Sequence, residues 1–148
     1  MGVFSADAID LVAGTLAELE TERALVVHGA GGLDEISLAG ETLVADVRRG
    51  EVRRYVLTPE DFGMARAPLE AIGGGTAAEN AVTIRGIFAG AVGAPRDIVV
   101  MNAAAALVAS GAADNFLEAA ELANETISSG ASEAKLMALA AFTHATPL

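Results

Sequence analysis

Apolar residues Ile9, Val12, Leu16 and Leu19 recur at intervals of three and four, one stripe at helical period, which predicts a helix over Ala6–Glu20 with Ser5 as its cap. The pattern then changes. Ala24-Leu25-Val26-Val27 is short, β-branched at its end and closed by His28-Gly29-Ala30-Gly31-Gly32, which reads as a buried strand entering a glycine loop. Ile36–Leu38, Thr42–Arg48 and Glu51–Leu57 follow as antiparallel segments, with a tight turn at Arg49-Gly50. Thr58-Pro59 opens a short helical turn that stops at Gly63, and Ala67–Ile72 reads as another short helix. Thr76 and Glu79 form a capping box for a helix running to Ala89. Three further helices are predicted over Asp97–Ser110, Asn115–Ser128 and Ser132–Thr143, with Asp114 capping the second and Gly111 and Gly130 as stops.

The fold class this predicts is α/β: an incomplete mixed sheet, a parallel core strand plus an antiparallel hairpin, packed by several helices. No repeat or low-complexity linker divides residues 1–148, so one domain is expected. The strands are few for so many apolar helices, which need sheet on which to bury their stripes. Part of the sheet is therefore expected to lie outside these residues.

Charge and composition narrow the function classes. Nine Lys and Arg against 20 Asp and Glu give a net charge of −11, which repels phosphate backbones and anionic lipid, so neither nucleic acid nor a membrane is expected as partner. A content of 53% hydrophobic residues excludes a disordered acidic tail. With no cysteine there is no disulfide framework, thiolate zinc site or cysteine nucleophile, and no targeting segment is visible; the cytoplasm is the expected compartment. The longest apolar run, Ile98–Ala109, is broken by Asn102 and falls short of a membrane span.

Few residues can carry chemistry. His28 and His144 stand in no nucleophile-and-base pattern; His28 is expected to hold the glycine loop and His144 to face solvent. Gly73-Gly74-Gly75 precedes a helix, but Thr76 and Glu79 already satisfy its free N–H groups, so it reads as a helix break. Arg48, Arg49, Arg53 and Arg54 alternate across a hairpin, which splits their charge between two faces and protects an exposed edge. An unprotected edge would invite a second copy, so homo-oligomer formation through the sheet edge is a possible partner mode. Asp34 and Glu35, just after Gly29, Gly31 and Gly32, are the most informative pair. Adjacent carboxylates without histidine suit Mg²⁺ better than zinc, though by spacing alone a solvated acidic turn is the readier account.

The strings Ala24-Leu25-Val26-Val27-His28-Gly29, Gly32-Leu33-Asp34-Glu35-Ile36-Ser37, Leu57-Thr58-Pro59-Glu60-Asp61-Phe62-Gly63, Glu79-Asn80-Ala81 and Asn102-Ala103-Ala104 occur in order, and together they resemble the carboxyl-terminal half of anthranilate phosphoribosyltransferase. The resemblance runs from Gly2 to about Thr143. It implies transfer of phosphoribose from phosphoribosyl pyrophosphate (PRPP) to anthranilate in tryptophan biosynthesis, with Mg²⁺ on Asp34 and Glu35 helping pyrophosphate to leave. It also implies that the pyrophosphate loop, most anthranilate contacts and the helical dimerisation domain lie in an amino-terminal half absent here, so the chain by itself should be inactive. Glu20 departs from the family's usual glycine before the strand. Alternatives are a pyrimidine nucleoside phosphorylase-type half and a non-catalytic, self-assembling fragment.

Overall fold

The computed structural model describes residues 1–145. Helix α1 spans Ala8–Glu18, two residues inside the predicted range at each end, because the Ser5 hydroxyl accepts from the Asp7 N–H and holds the entry as a turn. Its exit is a left-handed cap: Glu20 has φ +53°, with Glu20 N–H donating to Ala17 O and Thr21 N–H to Leu16 O.

Strands β1 (Arg23–Gly29), β2 (Thr42–Arg48) and β3 (Glu51–Leu57) form one sheet in the order β1-β2-β3, both pairings antiparallel. The α/β class holds, and the parallel pairing of β1 is a single bridge to Gly2, where Val3 N–H donates to Val27 O and Val27 N–H to Met1 O. At the β2–β3 turn both Arg49 (φ +49°) and Gly50 (φ +87°) are left-handed, so the turn asks of arginine what had been expected of glycine alone.

Ile36–Leu38 is buried but is not a strand. No ladder satisfies its backbone: Ser37 N–H donates to Thr42 Oγ1 at 3.0 Å, Ile36 is held by Asn102, and Leu38 O accepts from Ala67 N–H at 3.0 Å. Predicted helix Ala67–Ile72 shrinks to a 3₁₀ turn at Leu69–Ala71, and the turn after Thr58 is a 3₁₀ helix, Pro59–Phe62.

Helix α2 spans Ala77–Phe88, with its capping box formed as expected. Helix α3 spans Ala94–Ser110, starting three residues before the expected Asp97 because Pro95 fits the first turn, where its missing N–H has no partner to lose. Helix α4 spans Phe116–Ser128 and is capped by Asn115, whose side chain accepts from Glu118 N–H, rather than by Asp114. Helix α5 spans Ala131–Ala145 and buries no residue.

Alternation along the strands divides the core in two. Val26, Ala45 and Val47 pack under Ile9 and Ala13 of α1, while Leu25, Val27, Val44 and Leu57 face α3 and α4. On that second face Ala104, Ala119, Ala120 and Ala123 are buried, and their small side chains let α3 and α4 approach closely.

Candidate functional site

The end of β1 and the middle of α3 deliver the acidic pair to one place. After Gly29 the chain turns back on itself, with Gly29 N–H donating to Leu33 O at 2.8 Å and Gly31 and Gly32 both left-handed, φ +84° and +79°. Asp34 and Glu35 then sit at the surface, just before the buried Ile36. Two glycines make their path possible. A Cβ on Gly2 would overlap the Asp34 carbonyl, and one on Gly29 would overlap that of Glu35.

From the other side, Asn102 of α3 fixes the same segment. Its Oδ1 accepts from Ile36 N–H at 2.8 Å, and its Nδ2 donates to Ile36 O and to Ile98 O, each at 3.0 Å. A cavity of about 160 Å³ opens here between Met1, Gly2, Asp34, Glu35, Asn102 and Ala106. Burial pushes the Glu35 carboxyl above the ordinary glutamate value, and the Asp34 charge adds to the shift.

The donor set fits a hard cation. It offers two carboxylates and no thiolate or imidazole, and among the described residues no group of three or more His, Cys, Asp or Glu could hold a metal alone. A cation on Asp34 and Glu35 would relieve their mutual repulsion and complete its shell with water or phosphate oxygens, the usual habit of Mg²⁺.

Other sequence candidates have structural roles. His28 Nδ1 donates to Val3 O at 2.8 Å, holding the amino-terminal segment against β1, and His144 is exposed on α5. The Gly75 N–H donates to Asn80 Oδ1 and the Thr76 N–H to Glu79 Oε2, both at 2.8 Å, so the donors before α2 are taken. The arginines divide as alternation requires: Arg48 pairs with Asp46 at 2.9 Å, and Arg54 with Asp10 of α1 at 2.7 Å. Asn102 was the member of the site least visible in sequence. Its signal was a lone amide within an apolar helical run.

These features have a family. The chain belongs to the glycosyl transferase family, whose a/b domain model matches residues 1–133. Its relatives are anthranilate phosphoribosyltransferases. That of Pelotomaculum thermopropionicum is 50% identical over 143 residues, 97% of this chain and 41% of the relative. The crystal structure of the Thermus thermophilus enzyme superposes with a TM-score of 0.84 at 40% identity, covering 95% of this chain and 41% of that one. The Saccharomyces cerevisiae enzyme in complex with PRPP and Mg superposes with a TM-score of 0.78 at 26% identity, covering 87% and 38%. The chain therefore spans about two fifths of the length of these relatives. No helix among the described residues is long and apolar enough to cross a membrane.

Proposed function

We propose that this chain supplies, as one domain, the α/β part of a cytoplasmic enzyme that transfers the phosphoribosyl group of PRPP to anthranilate and releases pyrophosphate. The observation that carries the proposal is the acidic loop, whose backbone is clamped by Gly2, Gly29 and Asn102 so that Asp34 and Glu35 stand beside one cavity. Its relatives support the substrates, one solved structure being the yeast enzyme in complex with PRPP and Mg.

Asp34 and Glu35 would hold Mg²⁺. The bound ion would offset charge gathering on the departing pyrophosphate. Asn102 keeps the loop from relaxing, so the carboxylates meet their ligand without reorganising. No protein nucleophile is called for, and this chain by itself turns nothing over.

A graft tests the proposal. Replacing the matching part of the Thermus thermophilus relative with this chain should give an enzyme that consumes anthranilate only with PRPP and Mg²⁺. Asp34→Asn, Glu35→Gln in the graft should abolish that turnover. A graft that instead splits pyrimidine nucleosides with phosphate would replace the anthranilate assignment. Among the described residues β3 is paired on one side only; Arg53 and Arg54 guard that edge, and a second copy adding there in spite of them is the self-assembling alternative when the chain is studied alone. Light scattering that reports a monomer at high concentration would exclude that association.

A further inference from the structure

One fully buried hydroxyl beside the acidic pair has no part in the transfer described so far. Ser37, two residues after Glu35, has no exposed surface. Its Oγ donates to Ala30 O at 2.9 Å, seven positions back along the chain, and accepts from the Ala39 N–H at 3.1 Å.

The bond to Ala30 closes the acidic loop at its neck. Ala30 and Ser37 bracket the excursion that carries Asp34 and Glu35, and Ala30 is itself anchored, its N–H donating to Glu41 O at 2.8 Å. The other ties act on one side of the pair only: Gly29 N–H to Leu33 O closes the turn before it, and Asn102 holds Ile36 after it. Ser37 joins the two sides directly. Its side chain also presses on the end of β1, where a Cβ on Gly29 would lie 2.8 Å from Ser37 Cβ.

Adjacent carboxylates repel each other, so a loop that carries them spreads unless both of its ends are held. Two carboxylates keep the separation a cation needs only when the backbone beneath them is fixed. An apolar side chain of the same size would fill the space over Gly29 but make neither bond. We propose that Ser37 is a positioning residue for the cation site, its hydroxyl pinning the neck of the loop so that Asp34 and Glu35 stand at the spacing a divalent ion requires. That role rests on the reading of these two carboxylates as the Mg²⁺ ligands.

Titration of the chain with Mn²⁺ tests this, since Mn²⁺ takes the same oxygen ligands as Mg²⁺ and electron paramagnetic resonance separates free from bound ion. Asp34→Asn, Glu35→Gln should abolish binding. Ser37→Ala should weaken it by about tenfold, the loss typical when a group that orients a metal ligand is removed. Val47→Ala opens a cavity in the core under α1, on the other face of the sheet, and should lower the melting temperature without changing Mn²⁺ affinity. Ser37→Cys keeps a weak donor and acceptor and should lose less affinity than alanine, which carries the comparison if the alanine variant does not fold. Mn²⁺ affinity in Ser37→Ala within about twofold of the unsubstituted chain, with the carboxylate variant silent, overturns the role of Ser37 and leaves the metal site standing. An equal loss in Val47→Ala makes the effect one of general stability and overturns it as well. No binding by the unsubstituted chain, or binding that survives the carboxylate variant, overturns the metal reading and the role of Ser37 with it.

Discussion

Asn102 and Ile36, 66 residues apart, share two hydrogen bonds, so that one α3 amide satisfies both main-chain polar groups of the residue after the acidic pair. No ladder is available at this point in the chain. Asn102→Ala should leave an N–H and a C=O without partners at a part-buried position, destabilising the fold by about 2 kcal/mol, read by urea denaturation. Any Mg²⁺ affinity at Asp34 and Glu35 should fall with it. Asn102→Asp removes the donor to Ile36 O while keeping an acceptor, and an equal loss from both variants would show that the Ile36 N–H bond contributes nothing.

Glu20 occupies the left-handed position of the α1 exit, a conformation that costs a side chain with a Cβ about 1 kcal/mol. Glycine removes that strain but adds freedom to the unfolded chain, which offsets part of the gain. Glu20→Gly should therefore stabilise by about 0.5 kcal/mol and raise the melting temperature by about 1–2 °C. A lower melting temperature would mean that the Glu20 side chain does something the backbone does not reveal.

Asp46 is buried beneath two arginines, and Arg23, whose Nε is itself buried without a partner, relies on it for charge balance. Asp46→Ala should cost about 3 kcal/mol, since it strands a part-buried guanidinium. Arg48→Ala removes a side chain 60% exposed and should cost no more than about 1 kcal/mol. Chemical denaturation of the two variants measures the asymmetry.

Two carboxyl groups should tilt stability with pH in opposite senses. Burial first, and Asp34 second, raise Glu35, so the folded state holds this proton more tightly than the unfolded chain does. Its contribution is full below the ordinary glutamate value and is lost as pH rises through the folded value. Glu60 is held down to about 2, chiefly by its hydrogen bond from Arg66, so its contribution is present above the ordinary value and is lost as pH falls toward 2. Melting temperature followed against pH should lose the first slope in Glu35→Gln and the second in Arg66→Ala. Unchanged curves would rule out both linkages.

What the sequence made legible was local. The α1 stripe, the Thr76–Glu79 capping box and the glycine loop before Asp34 each depend on residues within a few positions of one another, and each is found. Ile36–Leu38 resembled a strand because it is apolar at both ends and β-branched at its start, but its backbone bonds go to the side chains of Thr42 and Asn102 and to the distant Ala67 N–H, and no periodicity announces those. The end of α1 near Glu20 was expected, but its left-handed turn was not, because it is set by backbone bonds from Glu20 and Thr21 to Ala17 O and Leu16 O. The acidic pair could be found by type and spacing, whereas the clamp that shapes it comes from Gly2, at one end of the chain, and from α3.

Helix α5 buries no side chain, whereas β1 and β2 carry the centre of both core clusters. The two regions should therefore keep different time. Backbone amides of α5 need only a local fraying event to trade their hydrogens for deuterium, while those of Val26 and Val44 must wait for the whole sheet to open. Exchange should consequently finish along Ala131–Ala145 while the centre of the sheet is still fully protonated, making the last helix an early reporter of how this chain comes apart.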